Sequence, residues 1–315
     1  MENSMNRTQW AMLLSLAVVW GGSFFFIGAA LREMPPFSVI AARLVFAAAA
    51  LNIALFAARA VFPIGMWRDF AVMGLLNNAI PFSLIAWGQT QIAGGLAAIL
   101  NATTPLFTIV VAHFLAHGER MSAGKIFGVC AGIAGAAVIV GAEALRGLGA
   151  NAFAQLAILG AACSYAFASV FGLRFRRMKI SPLATAAGQV SASALILLPL
   201  AALTERVWTL PAPGIATWGA LAGLGLLSTA LAYLLYFRIL ASAGATNVAL
   251  VTFLAPISAI LLGALFLGEV LEIKHFYGMG LIGIGLAAID GRIWRRLRQT
   301  FQNHGKIFSD SDGGK

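Results

Sequence analysis

The chain has 315 residues, of which 60% are hydrophobic and only 10% are charged. In soluble domains about a quarter of the residues are charged. This composition therefore excludes an ordinary soluble protein and indicates one that lies largely in a lipid bilayer. The net charge of +10 would suit nucleic acid, but the basic residues cluster at the ends of apolar segments. Membrane topology explains that clustering, and no nucleic-acid partner is predicted.

Ten apolar segments follow one another, each close to the length of about 20 residues that spans a bilayer core. They cover residues 9–31, 37–58, 69–91, 94–117, 122–143, 151–173, 181–203, 214–238, 244–268 and 275–292. The first is too long for the apolar part of a signal peptide and is expected to remain as a spanning helix. Residues 1–8 precede the first segment, and the polar tail 293–315 is predicted to be disordered.

The distribution of Lys and Arg predicts the orientation of these segments, because basic residues concentrate on the cytoplasmic side. With the N-terminus inside, most of the 21 basic residues fall on the inner side. The exceptions are Arg32, Arg146, Arg206 and Lys274 on the outer side and Arg43 within the second segment. Both termini are therefore predicted to be cytoplasmic, which requires an even number of helices.

An internal repeat organises the chain. Residues 93–119 and 243–269 both open with Ala-Gly, carry a proline near the middle (Pro105 and Pro256) and close with Gly-Glu. Residues 9–146 and 147–292 are thus predicted to be two five-helix repeats. Because five is odd, the second repeat enters the membrane upside down, and mid-membrane prolines at matching places indicate a binding site of the transporter kind. The alternative is that the prolines only kink packed helices.

The segments also resemble a known family. The matching features are Trp20-Gly21, Pro35-Pro36 followed by Arg43, Pro105 with Gly118-Glu119-Arg120, Pro256 with Gly268-Glu269, and the glycine-rich fifth and tenth segments. The chain resembles the ten-helix EamA-type members of the drug/metabolite transporter superfamily. The resemblance implies an inner-membrane protein that exports amino acids, related metabolites or drugs. The second repeat departs from symmetry at Gln189, which stands where a second arginine would match Arg43.

Helical rise places polar, aromatic and helix-breaking residues of segments 1, 3, 4, 6, 8 and 9 near the membrane midplane. Segments 5 and 10 bring mainly glycine and alanine. The residues predicted to line a central substrate cavity are Trp20, Phe24, Asn77, Asn78, Pro81, Asn101, Thr104, Pro105, Ser164, Tyr165, Thr229, Tyr233, Thr252 and Pro256. An apolar pocket with few polar groups suits an amphipathic ligand such as an aromatic amino acid.

Several of these residues have simpler explanations. Asn77 and Asn78 are about 100° apart on a helix, so at most one need face a cavity, and either can bond to a neighbouring helix. Small and hydroxylated residues such as Thr104 also suit close packing. The Tyr233 hydroxyl can be bonded in ordinary packing. The alternatives remain open at this point.

Four charged or titratable residues are predicted to act in structure or gating. Arg43 is the ionised residue deepest in any segment; it can contact substrate, but it is expected to hold the bundle together, because the second segment is not among the cavity-lining ones. His113 can couple a proton or simply be hydrogen-bonded. Glu119 and Glu269 close the paired helices on opposite sides, where they can form gating ion pairs or be solvated.

The function classes can then be ordered. No Asp or Glu lies near a midplane, so a carboxylate proton relay is missing and transport by facilitated diffusion or exchange is predicted. The leading hypothesis is export of aromatic or large apolar amino acids by alternating access. The alternatives are efflux of lipophilic cations or transport of sugar phosphates, with or without proton coupling. An intramembrane enzyme and a structural assembly protein are disfavoured, because no catalytic motif is found and assembly needs no paired broken helices.

No cofactor or metal is predicted, and the partners are a small molecule and the bilayer. Glycines at 124, 128 and 132 and at 278, 280, 283 and 285 are suited to close helix packing, either inside the chain or in a dimer. The protein is accordingly expected to be a monomer or a weak homodimer.

Overall fold

The computed structural model describes residues 5–115, 123–140, 150–243, 248 and 250–290. Those residues form helices joined by short turns and contain no β-strand, so the predicted all-α class is confirmed. Many large apolar side chains lie exposed on the helices, among them Ile53, Phe56, Leu195 and Leu265. Lipid covers such a surface readily, whereas a soluble protein rarely exposes one.

The helices follow the apolar segments in chain order. They are α1 (Arg7–Ala30), α2 (Pro36–Ala57), α3 (Ile64–Gln89), α4 (Gly94–Leu115), α5 (Ala123–Val140), α6 (Ala150–Arg177), α7 (Pro182–Glu205), α8 (Ile215–Ala243), α9 (Val251–Leu262, continued by Gly263–Leu267) and α10 (Ile273–Asp290). Within the described ranges, seven of these are long and apolar enough to cross a membrane: α1 to α4 and α6 to α8. Helices α5 and α9 contribute the shorter apolar stretches Ile126–Val138 and Leu254–Leu267.

Local signals explain where several helices begin. Asn6 and Gln9 form a capping box at the start of α1, in which each side chain accepts a hydrogen bond from the other residue's backbone N–H. Ser181 caps α7 through the backbone N–H of Ala184. Proline occupies an early position of both α2 and α7, where its missing N–H would have no partner in any case.

The packing of the helices relates the two halves of the chain. Helix α2 lies against α7, and α5 lies against α10. Helix α1 packs against α8 and α9, just as α6 packs against α3 and α4. Helix α8 also contacts α2, as α3 contacts α7. Each of these contacts has a counterpart when the first five helices are exchanged with the last five.

Glycines form the seam between α5 and α10. A Cβ atom added to Gly135 would lie 2.7 Å from the carbonyl oxygen of Gly278, and one added to Gly285 would lie 2.5 Å from that of Gly128. These backbones approach so closely that only glycine fits, so these glycines serve an interface inside the chain. A Cβ atom added to Gly280 or Gly283 would meet nothing within 4 Å, so the seam does not require glycine at these two positions.

The two proline-containing helices differ, although the repeat predicts that they match. Helix α4 is interrupted at Ala102 and Thr103, directly before Pro105, and resumes over Thr104–Leu115. Helix α9 stays α-helical over Val251–Leu262 although it contains Pro256. The chain is helical at Val248 and forms a turn at Leu250 before α9 begins, so the interruption in this segment lies farther from its proline than the one in α4.

Three helices widen into π-helical turns that the sequence patterns do not predict. These turns cover Leu75–Ala79 in α3, Gly223–Leu231 in α8 and Gly263–Leu267 in α9. A π turn bonds each residue to the fifth one along, so it admits one extra residue and leaves backbone groups irregularly placed. The first two turns lie in the helices that carry Asn77, Asn78 and Thr229, and such turns are frequent at functional sites.

Candidate functional site

The hydroxyl of Tyr233 joins α8 to α3 at the level of the π turns. It accepts a hydrogen bond from Asn77 Nδ2 and donates one to Asn78 Oδ1, each 3.0 Å long. Asn77 Nδ2 also donates to Gln189 Oε1 at 3.0 Å, and Asn78 Nδ2 donates to Ser193 Oγ at 3.1 Å. Both halves of the chain thus contribute to one polar group.

Asn77 and Asn78 both reach Tyr233, although an ordinary α-helix would point them about 100° apart. Both residues lie in the π-helical turn Leu75–Ala79, where consecutive side chains are not directed as in an ordinary α-helix. Asn78 is fully buried and Asn77 is half-buried. Asn77 is therefore the more accessible of the two amides.

Arg43 brings α2 into the same region. Its side chain is buried, its Nε donates to Thr229 Oγ1 at 2.8 Å, and its guanidinium carbon lies 3.6 Å from the centroid of the Phe82 ring. The hydroxyls of Tyr165 and Tyr233 are near enough to interact with its charge. The arginine side chain is long enough to join α2 to α3 and α8 in this way.

We call this group the central cluster. It consists of Arg43, Asn77, Asn78, Gln189, Ser193, Thr229 and Tyr233. Of these, Gln189 and Ser193 were not expected as site residues. The available signal was their spacing, because they are polar residues one helical turn apart in an apolar segment and so share a face.

Aromatic rings surround the central cluster. Trp20 lies beside Tyr236 with ring centroids 5.7 Å apart, Phe82 meets Tyr165 edge-on at 6.5 Å, and Tyr233 stacks on Phe237 at 6.2 Å. Trp20, Tyr165 and Tyr233 are half-buried, so part of each side chain faces open space. The ring of Tyr165 is therefore linked to Arg43 through Phe82, whereas the ring of Trp20 packs against Tyr236.

Two serines fasten the helices that frame this region. Ser164 Oγ on α6 donates to the carbonyl oxygen of Leu76 in the α3 π turn at 2.7 Å. Ser228 Oγ in the α8 π turn donates to the carbonyl oxygen of Val19 on α1 at 2.8 Å. Ser164 is buried and its hydroxyl is used for this contact, so its role in this structure is to join helices.

The predicted residues of α4 and α9 form a second group. The Thr104 hydroxyl donates to the carbonyl oxygen of Asn101 across the break in α4, at 2.7 Å, and Pro105 is half-buried beside it. Asn101 Oδ1 is buried without a hydrogen-bond partner among the described residues. On α9, Thr252 is half-buried and Pro256 is buried. Pro81, one turn after Asn77, is also buried and packs within α3.

The remaining predicted residues lie toward the ends of the helices. Phe24 is buried, and its carbonyl oxygen accepts a hydrogen bond from Gln89 Nε2 at 2.9 Å. His113 is exposed beside Phe114 near the C-terminal end of α4. Glu269 accepts hydrogen bonds from the backbone N–H groups of Gly94 and Gly95, at 2.7 and 3.0 Å. Glu119 falls outside the described residues.

Two more glutamates act as Glu269 does. Glu205, at the end of α7, accepts hydrogen bonds from the backbone N–H groups of Phe37 and Ser38, at 2.8 and 2.6 Å, and from the Ser38 hydroxyl. Glu33 accepts one from the backbone N–H of Gly214 at 2.7 Å. A carboxylate is stabilised at a helix N-terminus by the free N–H groups and the helix dipole. We call Glu33, Glu205, Glu269 and the N-termini that they contact the outer rim, after the side of the membrane on which the predicted topology would place them.

The sequence pattern of the "EamA-like transporter family" matches this chain twice, over residues 9–141 and 152–289. The two matches together cover most of its length. The chain belongs to the EamA-like transporter family. The family and the names of relatives indicate a transporter rather than an enzyme. Within the described ranges, no group of three or more His, Cys, Asp or Glu side chains is placed to hold a metal ion.

Individual relatives of this family member support the same conclusion. It is 28% identical over 274 residues to the "Uncharacterized inner membrane transporter YedA" of Escherichia coli K12, covering 86% of each chain. It is 28% identical over 305 residues to the "Probable terminal-alkyne amino-acid exporter" of Streptantibioticus cattleyicolor, covering 94% of this chain and 97% of the relative. A solved crystal structure shares its fold with a TM-score of 0.64 at 20% identity, covering 93% of this chain and 99% of the other. The EamA-like protein is thus a multi-pass inner-membrane transporter.

Proposed function

We propose that this protein exports amino acids with aromatic or large apolar side chains by alternating access. The observation that carries the proposal is the central cluster, where one buried arginine and two amides lie close to the rings of Phe82, Tyr165 and Tyr233. Polar groups at one end and flat apolar faces at the other match an amphipathic metabolite. A relative named as a probable amino-acid exporter, similar over 94% of the chain, supports this substrate class.

The proposed architecture has ten spans in two inverted repeats, residues 9–146 and 147–292, with both termini in the cytoplasm. The exchange symmetry of the helix packing and the two separate family matches support the repeats. The salt bridge between Asp69 and Arg174, 2.9 Å long, then lies at the inner end, opposite the outer rim. The substrate cavity would lie between the repeats, where transporters of this design bind their substrates.

Facilitated diffusion or exchange is the proposed mode of transport. The acids of the outer rim are held at helix N-termini, and Asp69 is paired with Arg174. None of these carboxylates is placed in the central cluster, where a proton relay would need one. The buried cation Arg43 argues against lipophilic cations as substrates, because like charges repel strongly in a medium of low dielectric constant.

Counterflow in proteoliposomes tests this function directly. Vesicles are loaded with one unlabelled amino acid at a time, and uptake of the labelled form from outside is followed without any ion gradient. We expect transient accumulation with phenylalanine and a few other large apolar amino acids, and none in protein-free vesicles. A flat response across all amino acids, from protein shown to be folded, would contradict the proposal and direct attention to sugar phosphates or to obligatory proton coupling.

A further inference from the structure

Arg43 has hydrogen-bonding capacity that the described protein leaves unused. A guanidinium carries five N–H donors. Only Nε has a hydrogen-bond partner among the described residues, the hydroxyl of Thr229 at 2.8 Å. The side chain is nevertheless 95% buried, given its relative exposure of 5%. Both terminal nitrogens of the most deeply placed charge in the chain are thus without a protein acceptor in the described structure.

The described residues also provide Arg43 with no counter-ion. Asp69 is paired with Arg174 and Glu272 with Lys274, each at 2.9 Å. The carboxylates of the outer rim lie at the N-termini of α2, α4 and α8. A buried charge is normally paired, since its removal from water is costly. The Phe82 ring at 3.6 Å stabilises one face of the guanidinium, but a ring face cannot accept the in-plane hydrogen bonds of its terminal nitrogens.

These observations lead to a more specific statement about the substrate. That statement rests on the proposed function. We propose that Arg43 is the specificity-determining residue that binds the carboxylate of the transported molecule through its terminal nitrogens. Arginine suits this role because its planar fork matches a carboxylate with two parallel hydrogen bonds. Phe82 and Thr229 hold the guanidinium in place, so the fork is oriented before the substrate arrives.

The charge of the site selects a carboxylate over a phosphate. Gln189 stands on α7 at the position that the repeat matches to Arg43, and it is neutral. Its side-chain oxygen is already bonded to Asn77 at 3.0 Å. One arginine balances a singly charged carboxylate, whereas a doubly charged phosphate ester would need a second cation. The site therefore takes monoanionic or zwitterionic substrates and discriminates against amines and amides of the same shape.

A ligand series tests this statement on the unaltered protein. Phenylalanine, phenylalaninamide, phenethylamine and 3-phenylpropionate share one side chain and differ in the carboxylate and the amine. Each ligand is added as a competitor of phenylalanine counterflow. We expect phenylalanine and 3-phenylpropionate, which carry the carboxylate, to inhibit at concentrations at least tenfold lower than the amide or the amine. Inhibition by the amide and the amine within threefold of phenylalanine would overturn the assignment, because binding would not depend on a carboxylate.

Variants at Arg43 test it independently. R43Q should lower phenylalanine counterflow at least tenfold and reduce the preference for acid over amide to near one, while R43K should keep part of both. R174Q is the matched control, because Arg174 also lies over a phenylalanine ring, that of Phe171 at 4.6 Å, but has an acidic partner. R174Q should keep the wild-type preference. A folded R43Q protein with an unchanged preference for the acid would overturn the proposal.

Each ligand is also scored by the rise in melting temperature that it causes in wild-type and R43Q protein. If counterflow is flat for every amino acid, the proposed export function fails, but the melting series still tests Arg43. If carboxylates raise the melting temperature of the wild-type protein but not of R43Q, the assignment of Arg43 as the carboxylate-binding residue is supported even without amino-acid transport. No difference between acids and amides in the wild-type protein would overturn it, and this measurement also decides the matter if R43Q does not fold.

Discussion

The outer rim and the central cluster both hold polar side chains within an apolar bundle, but they satisfy them differently. In the outer rim, carboxylates bind backbone N–H groups at the starts of helices, with distances of 2.6 to 3.0 Å. In the central cluster, amides, hydroxyls and one arginine bind one another through side chains. The rim joins side chain to main chain, and the cluster joins side chain to side chain.

The difference separates structure from binding. A carboxylate at a helix N-terminus replaces water for N–H groups that have no partner in the helix, so the rim contacts fix the positions of α2, α4 and α8. The central cluster leaves two guanidinium nitrogens without acceptors among the described residues, and Asn77 and Tyr233 remain half-buried. Unused capacity beside an accessible surface is what a ligand needs. Substitutions should therefore separate stability from transport.

The largest effect on stability is expected in the rim at Glu205. E205A removes three hydrogen bonds to a charged acceptor, from the N–H groups of Phe37 and Ser38 and from the Ser38 hydroxyl. Hydrogen bonds to charged groups contribute about 1.5–3 kcal/mol each, but water can reach this position, so we expect a loss of about 2 kcal/mol in the free energy of unfolding. Thermal unfolding in detergent measures the loss, with E205Q as a control that keeps an acceptor. An E205A protein that is as stable as the wild type but no longer transports would contradict the assignment of the rim to stability and of the central cluster to binding.

The next largest effect is expected in the central cluster at Tyr233. Y233F removes the hydroxyl that fixes both Asn77 and Asn78, and we expect counterflow to fall about tenfold, which corresponds to about 1.4 kcal/mol. The unfolding free energy should change by less than about 1 kcal/mol, because Asn77 keeps Gln189 and Asn78 keeps Ser193 as partners.

Y236F provides the matched control for Y233F. Tyr236 lies on the same helix, but its hydroxyl has no hydrogen-bond partner in the part of the chain that the structure describes, so transport should stay near the wild-type rate. Equal losses in Y233F and Y236F would mean that the hydroxyl of Tyr233 has no special role.

The smallest effect is expected at Glu33. This residue is exposed and accepts a single hydrogen bond, from the backbone N–H of Gly214. An exposed carboxylate at a helix N-terminus contributes about 0.3–1 kcal/mol at low salt, so E33Q should lower the melting temperature only slightly. The difference should shrink when unfolding is repeated in high salt. If E33Q lowered the melting temperature as much as E205A does, the exposure of each carboxylate would not predict how much its rim contact contributes to stability.

Much of this arrangement follows from the sequence. The apolar segments predict the helices because length and composition are enough to identify membrane-spanning helices. The positions of Asn77, Asn78, Thr229 and Tyr233 along their segments predict similar depths in the membrane. In the structure, Tyr233 is hydrogen-bonded to both asparagines and Thr229 is hydrogen-bonded to Arg43. The repeat predicts that α2 and α7 are counterparts, and they pack together.

Other features depend on three-dimensional contacts that periodicity cannot give. The π turns change the direction of Asn77 and Asn78, and no local pattern predicts them. The position of Arg43 depends on where Phe82 and Thr229 lie, which is decided by packing between helices. The role of Glu205 depends on the approach of α7 to the start of α2, two elements far apart in sequence. The distance between each proline and the interruption before it, shorter for Pro105 than for Pro256, is likewise not given by the repeat.

The rim contacts have a consequence for comparing sequences across diverged relatives. Glu205 recognises the N–H groups of residues 37 and 38, and every amino acid except proline supplies such a group. Position 37 can therefore change its side chain without loss of the contact, while the acid cannot. Covariation between positions carries no information about a pairing in which one partner is main chain. Saturation mutagenesis would instead show the contact as two different profiles. Glu205 would tolerate no replacement, whereas position 37 would tolerate every residue except proline.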